Sequence, residues 1–147
     1  MLRVAKLTDY ATVVLASLAA ASEDVLSAPE LAERAGLEAT TVSKVLKPLA
    51  QAGLVEGIRG ASGGYRLARP AQQISLIEIV EAMEGPLAMT ECSIDAGACG
   101  IEASCNARAN WRRINDVVAD ALRGVSLAQM LPASRGPRRR IAVEIAA

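Results

Sequence analysis

SAPELAERAGLEATTVSKVLKPLAQAGLVEGIRGASGGYRL, residues 27–67, carries a helix start, a glycine turn, a second helix and a glycine-rich hairpin in direct succession. Ser27-Ala-Pro-Glu30 is a capping box with proline in the first turn, which predicts a helix running to Ala35. Gly36 supplies the positive φ that ends it. After the turn Gly36–Glu38, a further helix is expected over Ala39–Ala52, stopping at Gly53. Two short helices about a tight glycine turn form a helix-turn-helix, whose second helix enters the DNA major groove. Leu54–Ile58 then reads as a strand, Arg59-Gly-Ala-Ser-Gly-Gly64 as a hairpin, and Tyr65–Leu67 as the returning strand. A helix-turn-helix followed by a basic hairpin is a winged helix.

The glycines of the hairpin are not a phosphate loop, because no Gly-Lys-Ser/Thr ends the run and no helix follows directly. Arg59 at the wing base and Arg66 beyond it point to nucleic acid, since a flanking wing can place arginine in the minor groove. The wing contacts are expected from Arg59, Gly60, Gly63, Gly64 and Tyr65. On the second helix of the motif, Thr40, Thr41, Ser43, Lys44 and Lys47 are polar, while Val42, Val45, Leu46 and Leu49 are apolar. Side chains near the N-terminal end reach base edges in this geometry, so Thr40, Ser43 and Lys44 are the readout candidates and Lys47 a phosphate contact. Pro48 removes a backbone hydrogen bond and crowds the carbonyl one turn back, which predicts a kink near Lys44–Lys47 or a shorter helix.

Upstream, Thr8 is positioned to cap a helix over Asp9–Ala21. Arg3 and Lys6 ahead of the apolar stretch Ala11–Ala21 imitate a secretory signal, but Asp9, Thr12 and Ser17 argue against one. No run approaches a membrane span, and a cytoplasmic location is expected. Downstream, Ser75–Glu78 is another capping box, opening a helix to Glu84 that Gly85-Pro86 ends. A further helix is expected from about Ser104–Asn106 to Arg123. Its apolar positions, Trp111, Ile114, Val117, Val118, Ala121, Leu122 and then Val125, form a stripe too wide for a small monomer to hide. Ser126–Leu131 reads as a short terminal helix. From Pro132 on, the Ser-, Gly-, Pro- and Arg-rich composition predicts a flexible basic tail.

The chain has 147 residues, zero net charge, no histidine and only three aromatic residues, Tyr10, Tyr65 and Trp111. Such a Leu, Val, Ile and Ala core reads as mainly helical with a small hairpin and leans on a partner subunit. Charge is unevenly spread. Residues 44–69 carry Lys44, Lys47, Arg59, Arg66 and Arg69 against Glu56 alone, whereas residues 71–102 carry acids and no base. One surface therefore faces an anion and another avoids it. Without histidine no Ser–His or Cys–His catalytic pair exists, and an enzyme is not expected.

Cys92, Cys99 and Cys105 are the chain's only cysteines, spaced C-x6-C-x5-C within one loop. Three thiols cannot all pair within one chain. Clustered thiolates suit zinc or an iron–sulfur cluster, each of which wants four ligands, so the fourth is an oxygen or comes from elsewhere. Two rival readings stand beside the cluster: a thiol switch in which two cysteines form a disulfide, and a zinc-stabilised interaction module that never meets DNA.

The opening Leu7-Thr-Asp-Tyr-Ala11, the turn and helix Gly36–Gly53, the wing Arg59–Tyr65 and the three-cysteine loop occur together in this order. They resemble the winged-helix iron–sulfur regulators of bacteria, the family containing the cluster regulator IscR and the nitric-oxide sensor NsrR. The start of the chain looks most like the branch that regulates the SUF cluster-assembly operon. The resemblance implies a homodimeric, DNA-binding transcription factor whose [2Fe-2S] or [4Fe-4S] cluster sets promoter occupancy. It divides the chain into a winged helix-turn-helix (1–84), a cluster loop (85–105), a dimerisation helix (106–131) and the tail (132–147). In the branch with a two-iron cluster, a histidine follows the last cysteine by three residues. Arg108 stands there, and it cannot ligate iron. The nitric-oxide-sensing branch uses an aspartate near the start of the first helix, donated by the other subunit, and Asp9 matches that position. Glu102, Asp95, Asn106 or an exogenous ligand are the competitors.

Overall fold

The computed structural model describes residues 2–21 and 24–132. Helix α1 (Lys6–Ala20) is followed by α2 (Ala28–Ala35), α3 (Ala39–Gln51), strands β1 (Val55–Ile58) and β2 (Gly64–Leu67), α4 (Leu76–Glu84), α5 (Arg108–Arg123) and α6 (Leu127–Met130). Short 3-10 turns at Ala71–Gln73, Glu91–Ser93 and Glu102–Ser104 link the longer elements. The protein is a winged helix-turn-helix, mainly helical with one antiparallel hairpin. Among the described residues no helix is long and apolar enough to cross a membrane. The tail expected from 132 onward lies, from residue 133, outside the described residues.

The helix-turn-helix forms for the reasons the sequence suggests. Ser27 accepts from the Glu30 amide while the Glu30 carboxylate accepts from the Ser27 amide, closing the capping box. Gly36 ends α2 at φ +65°, and Gly53 follows α3 at φ +72°, conformations that cost glycine little. Pro48, however, neither breaks nor ends α3, which continues to Gln51. Val45, Leu46 and Leu49 flank the proline and are buried. Their burial contributes roughly 1.5–3 kcal/mol each, enough to offset the ~3 kcal/mol that a mid-helix proline costs.

The hairpin pairs Val55 with Leu67, Glu56 with Arg66, Gly57 with Tyr65 and Ile58 with Gly64. A further bridge, not foreseen, joins Tyr65 to Leu26: the Leu26 amide donates to the Tyr65 carbonyl at 2.9 Å, and the Tyr65 amide returns the bond at 2.7 Å. The wing is thereby stitched to the residue before the α2 cap. A Cβ at Gly64 would collide with the Leu26 backbone, so the close approach itself demands glycine.

Helix α1 differs from expectation at its start. It begins at Lys6 with Ala5 as an N-cap that offers no side chain, and Thr8 is not the cap. Thr8 lies inside the first turn, 1 % exposed, and donates to Glu84 Oε1 at 2.5 Å. The same oxygen accepts from the Ala5 amide at 2.9 Å. A carboxylate from the end of α4 thus takes over the work of the missing cap, satisfying an orphan amide of the first turn. Ala11, Val14, Leu15 and Leu18 form the buried stripe of α1 and pack in one core with Leu31, Val42, Leu49, Leu54, Ile74 and Ile79. Leu127 of α6 joins the same core, held by its amide on the Ile74 carbonyl at 2.7 Å. Helix α5 starts at Arg108, later than expected, because the chain first makes the turn Glu102–Ser104. Of its residues only Ala119 is buried.

The hydrogen bonds from Thr8 and the Ala5 amide hold the Glu84 carboxyl below the usual carboxylate range. A depressed folded-state pKa contributes stability above the unfolded value, lost as pH falls through the folded one. Glu84→Gln should therefore lower stability at neutral pH by about 0.5–1 kcal/mol, a figure reduced for solvent exposure. The gap between parent and variant should close as pH drops below the normal carboxylate range. Urea melts from pH 7 down to pH 3 test this; a gap that stays constant across the series would refute the assignment.

Candidate functional site

The recognition helix turns two faces in opposite directions. Val42, Val45, Leu46 and Leu49 are buried, whereas Thr40, Ser43, Lys44 and Lys47 are exposed and Thr41 is half-buried. Burying the apolar face fixes the rotation of α3, so the polar face is presented by the packing of the core and not by its own contacts. Lys44 and Lys47 make no ion pair among the described residues.

On the wing, three arginines separate into two kinds. Arg66 Nε donates to Glu56 Oε1 at 2.5 Å across the strand pair, and Arg69 reaches Glu78 at 2.6 Å and the Gln73 carbonyl at 2.9 Å. Both are occupied in holding the hairpin and α4. Arg59 is exposed with no acid partner among the described residues. Arg66 was expected alongside it as a nucleic-acid contact; in the structure it is a cross-strand pair. The loop between the strands turns at Gly60, φ +118°, and the Gly63 amide closes it on the Gly60 carbonyl at 3.0 Å. Tyr65 is half-buried and carries the bridge to Leu26.

The cysteine loop is built around polar contacts. Cys92 lies in the turn Glu91–Ser93, 8 % exposed, with its Sγ 3.2 Å from Thr90 Oγ1, which also contacts Ser93 Oγ at 3.0 Å. The Met89 amide donates to Asn115 Oδ1 at 3.0 Å, pinning the entrance of the loop to α5. Cys92 borders a polar pocket of about 260 Å³ that Asp95, Arg112, Asn115 and Asp116 also line. Cys99 and Cys105 are half-buried, and all three are free thiols. Glu102, between the last two cysteines, ion-pairs with Arg108 and accepts from the Gly97 amide, and Arg112 stands 3.9 Å away. Nothing in the residue pattern announced that contact, because the partners meet only once the loop folds back on α5.

The donors are of the right class for a soft metal or an iron–sulfur cluster. Their arrangement is not: among the described residues no three of Cys, Asp, Glu or His lie close enough to hold one metal ion. As placed here, the cysteines do not fit a closed cluster site. Asp9 is exposed in the first turn of α1 and lines a groove of about 810 Å³ with Leu76, Val80, Met89, Val118 and Leu122, and no cysteine contributes to it. Asp95 and Asn106 are exposed. Along α5, Trp111, Ile114 and Val117 stand open to solvent, Val117 at 62 %, as do Leu2, Val4 and Leu7 ahead of and within α1.

Comparison with known proteins places this architecture. The Rrf2 family profile, described as an iron-dependent transcriptional regulator, matches residues 4–133. The chain is 37% identical over 134 residues to protein aau3 of Rhizobium meliloti (strain 1021), covering 90% of this chain and 86% of that one. CymR (YrzC), the global cysteine regulator of B. subtilis, superposes with a TM-score of 0.68 at 27% identity, covering 88% of this chain and 96% of that one. IscR of T. potens superposes with a TM-score of 0.64 at 27% identity, covering 88% and 85%. These likenesses remove the enzyme and the interaction module that avoids DNA from consideration. With its exposed recognition helix, its wing and a match over nearly its whole length, the chain belongs to the Rrf2 family of DNA-binding transcriptional regulators.

Proposed function

We propose that this regulator reads iron–sulfur status through Cys92, Cys99 and Cys105 and controls SUF-type cluster-assembly genes. The observation that carries the reading is the joining of three free thiols in one loop to a winged helix-turn-helix. The proposed cofactor is an iron–sulfur cluster, [2Fe-2S] or [4Fe-4S], which supplies a centre that iron supply, oxidants or nitric oxide can alter. The regulator works in the cytoplasm as a homodimer on double-stranded promoter DNA. The apolar residues exposed along α5 and at the start of α1 support a second copy as the partner, since a small monomer gains little from exposing Trp111, Ile114 and Val117 together. Asp9 is proposed as the fourth ligand from that second copy. No cysteine of the same chain lines its groove, which supports a role toward a partner's loop.

A thiol switch is the second reading. It is favoured by the separation of the cysteines, which have no shared metal-binding geometry here, and by likeness to a global cysteine regulator. Anaerobic purification with an absorption spectrum and iron and sulfide analysis separates the two, since only the first reading gives a coloured, iron-bearing protein.

Three outcomes follow for variants. Arg59→Ala should weaken operator binding by roughly 1–3 kcal/mol at fixed salt, the scale of a lost specific arginine contact. Unchanged affinity would remove the wing from the interface.

In selection from a random DNA pool, Lys44→Ala should alter the preferred sequence, while Lys47→Ala should weaken binding uniformly and flatten the salt dependence. A changed preference for the Lys47 variant alone would invert the assigned readout face.

Replacing any one of the three cysteines by alanine should abolish cluster retention, and Asp9→Ala should leave a cluster that is lost faster, with DNA binding no longer tied to it. An Asp9 variant identical to the parent in spectrum, cluster lifetime and operator affinity would transfer the fourth ligand to another group.

A further inference from the structure

Strand β2 is bonded along both of its edges. On one side it pairs with β1. On the other, the Tyr65 amide donates to the Leu26 carbonyl at 2.7 Å and the Tyr65 carbonyl accepts from the Leu26 amide at 2.9 Å. Bonded and non-bonded pairs alternate along an antiparallel ladder, so the pairing of Tyr65 with Gly57 is left as a non-bonded one. Tyr65 is thus the residue at which the hairpin is tied to the body of the protein. Leu26 is 3 % exposed and belongs to the central core, and its neighbour Ser27 caps α2. Wing and helix-turn-helix are therefore referred to one fixed point, Leu26–Ser27. The two backbones come this close because position 64 carries no side chain. A Cβ there would run into the Leu26 carbonyl and stand 2.8 Å from the Ser27 nitrogen.

We propose that Gly64 is a positioning residue for DNA recognition: by letting β2 bond to Leu26, it fixes the wing, and with it Arg59, at a set distance from the recognition helix. This rests on the reading of Arg59 as a DNA contact, and it adds the contact that aims it. Gly64 itself need not touch DNA. Arg59 is exposed and has no ion pair among the described residues, so the course of the hairpin backbone sets where its guanidinium can reach. A two-stranded hairpin is marginally stable by itself, and a third backbone partner removes its freedom to swing. Holding a binding loop in its bound pose lowers the ordering cost of association. Gly57, on the opposite strand, supplies the control. A Cβ there would meet the Tyr65 ring at 3.7 Å, an ordinary contact that leaves the bridge to Leu26 alone.

The test uses the full chain as parent, Gly64→Ala and Gly57→Ala, each with and without Arg59→Ala. Affinity is measured at one fixed salt concentration for a DNA site that the parent selects from a random pool, and far-UV circular dichroism checks folding. Gly64→Ala should weaken binding about tenfold, the size of one lost specific arginine contact. Adding Arg59→Ala to Gly64→Ala should then cost less than about twofold, whereas Arg59→Ala should cost its full factor in the parent and in Gly57→Ala. Plain destabilisation scales both members of a cycle alike and leaves the Arg59 factor intact, so the cycle separates it from positioning. Hydrogen exchange gives a second readout. In the parent, the Leu26 and Tyr65 amides should exchange as slowly as that of Ala68, which donates to the Leu54 carbonyl at 3.1 Å at the hairpin base. In Gly64→Ala the first two should speed up and Ala68 should not. A full Arg59 factor in folded Gly64→Ala would overturn the positioning role alone. Leu26 and Tyr65 amides that exchange far faster than Ala68 in the parent would overturn it too, even if Gly64→Ala does not fold. If Arg59→Ala costs the parent nothing, the wing reading fails and takes the positioning role with it.

Discussion

Leu15 and Leu18 lie at the centre of α1, and that helix touches α2, α3, α4, α6 and β2. Ala11, Val14, Leu15 and Leu18 are fully or almost fully withdrawn from water. A helix whose buried face meets several elements sets their mutual angles, because close-packed interiors do not deform gradually. The pose of the recognition helix is one consequence, since α3 packs on α1 within the core that holds Val42, Val45 and Leu49. The position of α4 is another. Removing a leucine from this stripe would cost several kcal/mol, on the order of 2–5, and would disturb the DNA-reading surface without touching DNA.

The same helix is the place where the two halves of the molecule meet. Its first turn is finished by Glu84, the last residue of α4, and the chain then turns at Gly85 into the cysteine loop. Its outer side carries Asp9 and lines the groove that α4 and α5 complete. Helix α4 packs on both α1 and α3, and the Glu84 carboxylate adds hydrogen bonds to the start of α1, so the segment leading into the cysteine loop is seated directly on the winged core.

Electrostatics divide the surface along similar lines. Pairing within the chain neutralises Arg66 and Arg69, and Glu102 occupies Arg108. Lys44, Lys47 and Arg59, on the recognition helix and the wing, are without a counter-charge among the described residues, as are Arg3, Lys6 and Arg34 elsewhere in the winged half. Cations left unpaired in water are available to phosphate, whereas those already paired would first have to break a contact. Residues 71–102 carry acids and no base, so this stretch repels a phosphate backbone where the cations of the recognition helix and the wing attract it.

The winged helix-turn-helix was legible from local signals alone. Capping boxes at Ser27 and Ser75, the positive-φ glycines at 36 and 53 and the alternation of polar and apolar residues on α3 each act within a few residues, so a sequence displays them directly. The sequence also showed three thiols in one loop and the absence of histidine. Other features depended on residues far apart in the chain. Thr8 reads as a cap until Glu84 arrives from 76 positions away. Arg66 reads as an unpaired wing cation until the strand register sets it opposite Glu56. Pro48 reads as a helix breaker until the core on both sides holds the helix intact. The bridge of Tyr65 to Leu26 and the ion pair of Glu102 with Arg108 have no local signature, because each is a pairing that only loop closure creates. Composition and spacing determined which chemistry the chain carries; tertiary packing decided which groups are free to use it, because a charge or a thiol is available only when no folded neighbour has already satisfied it.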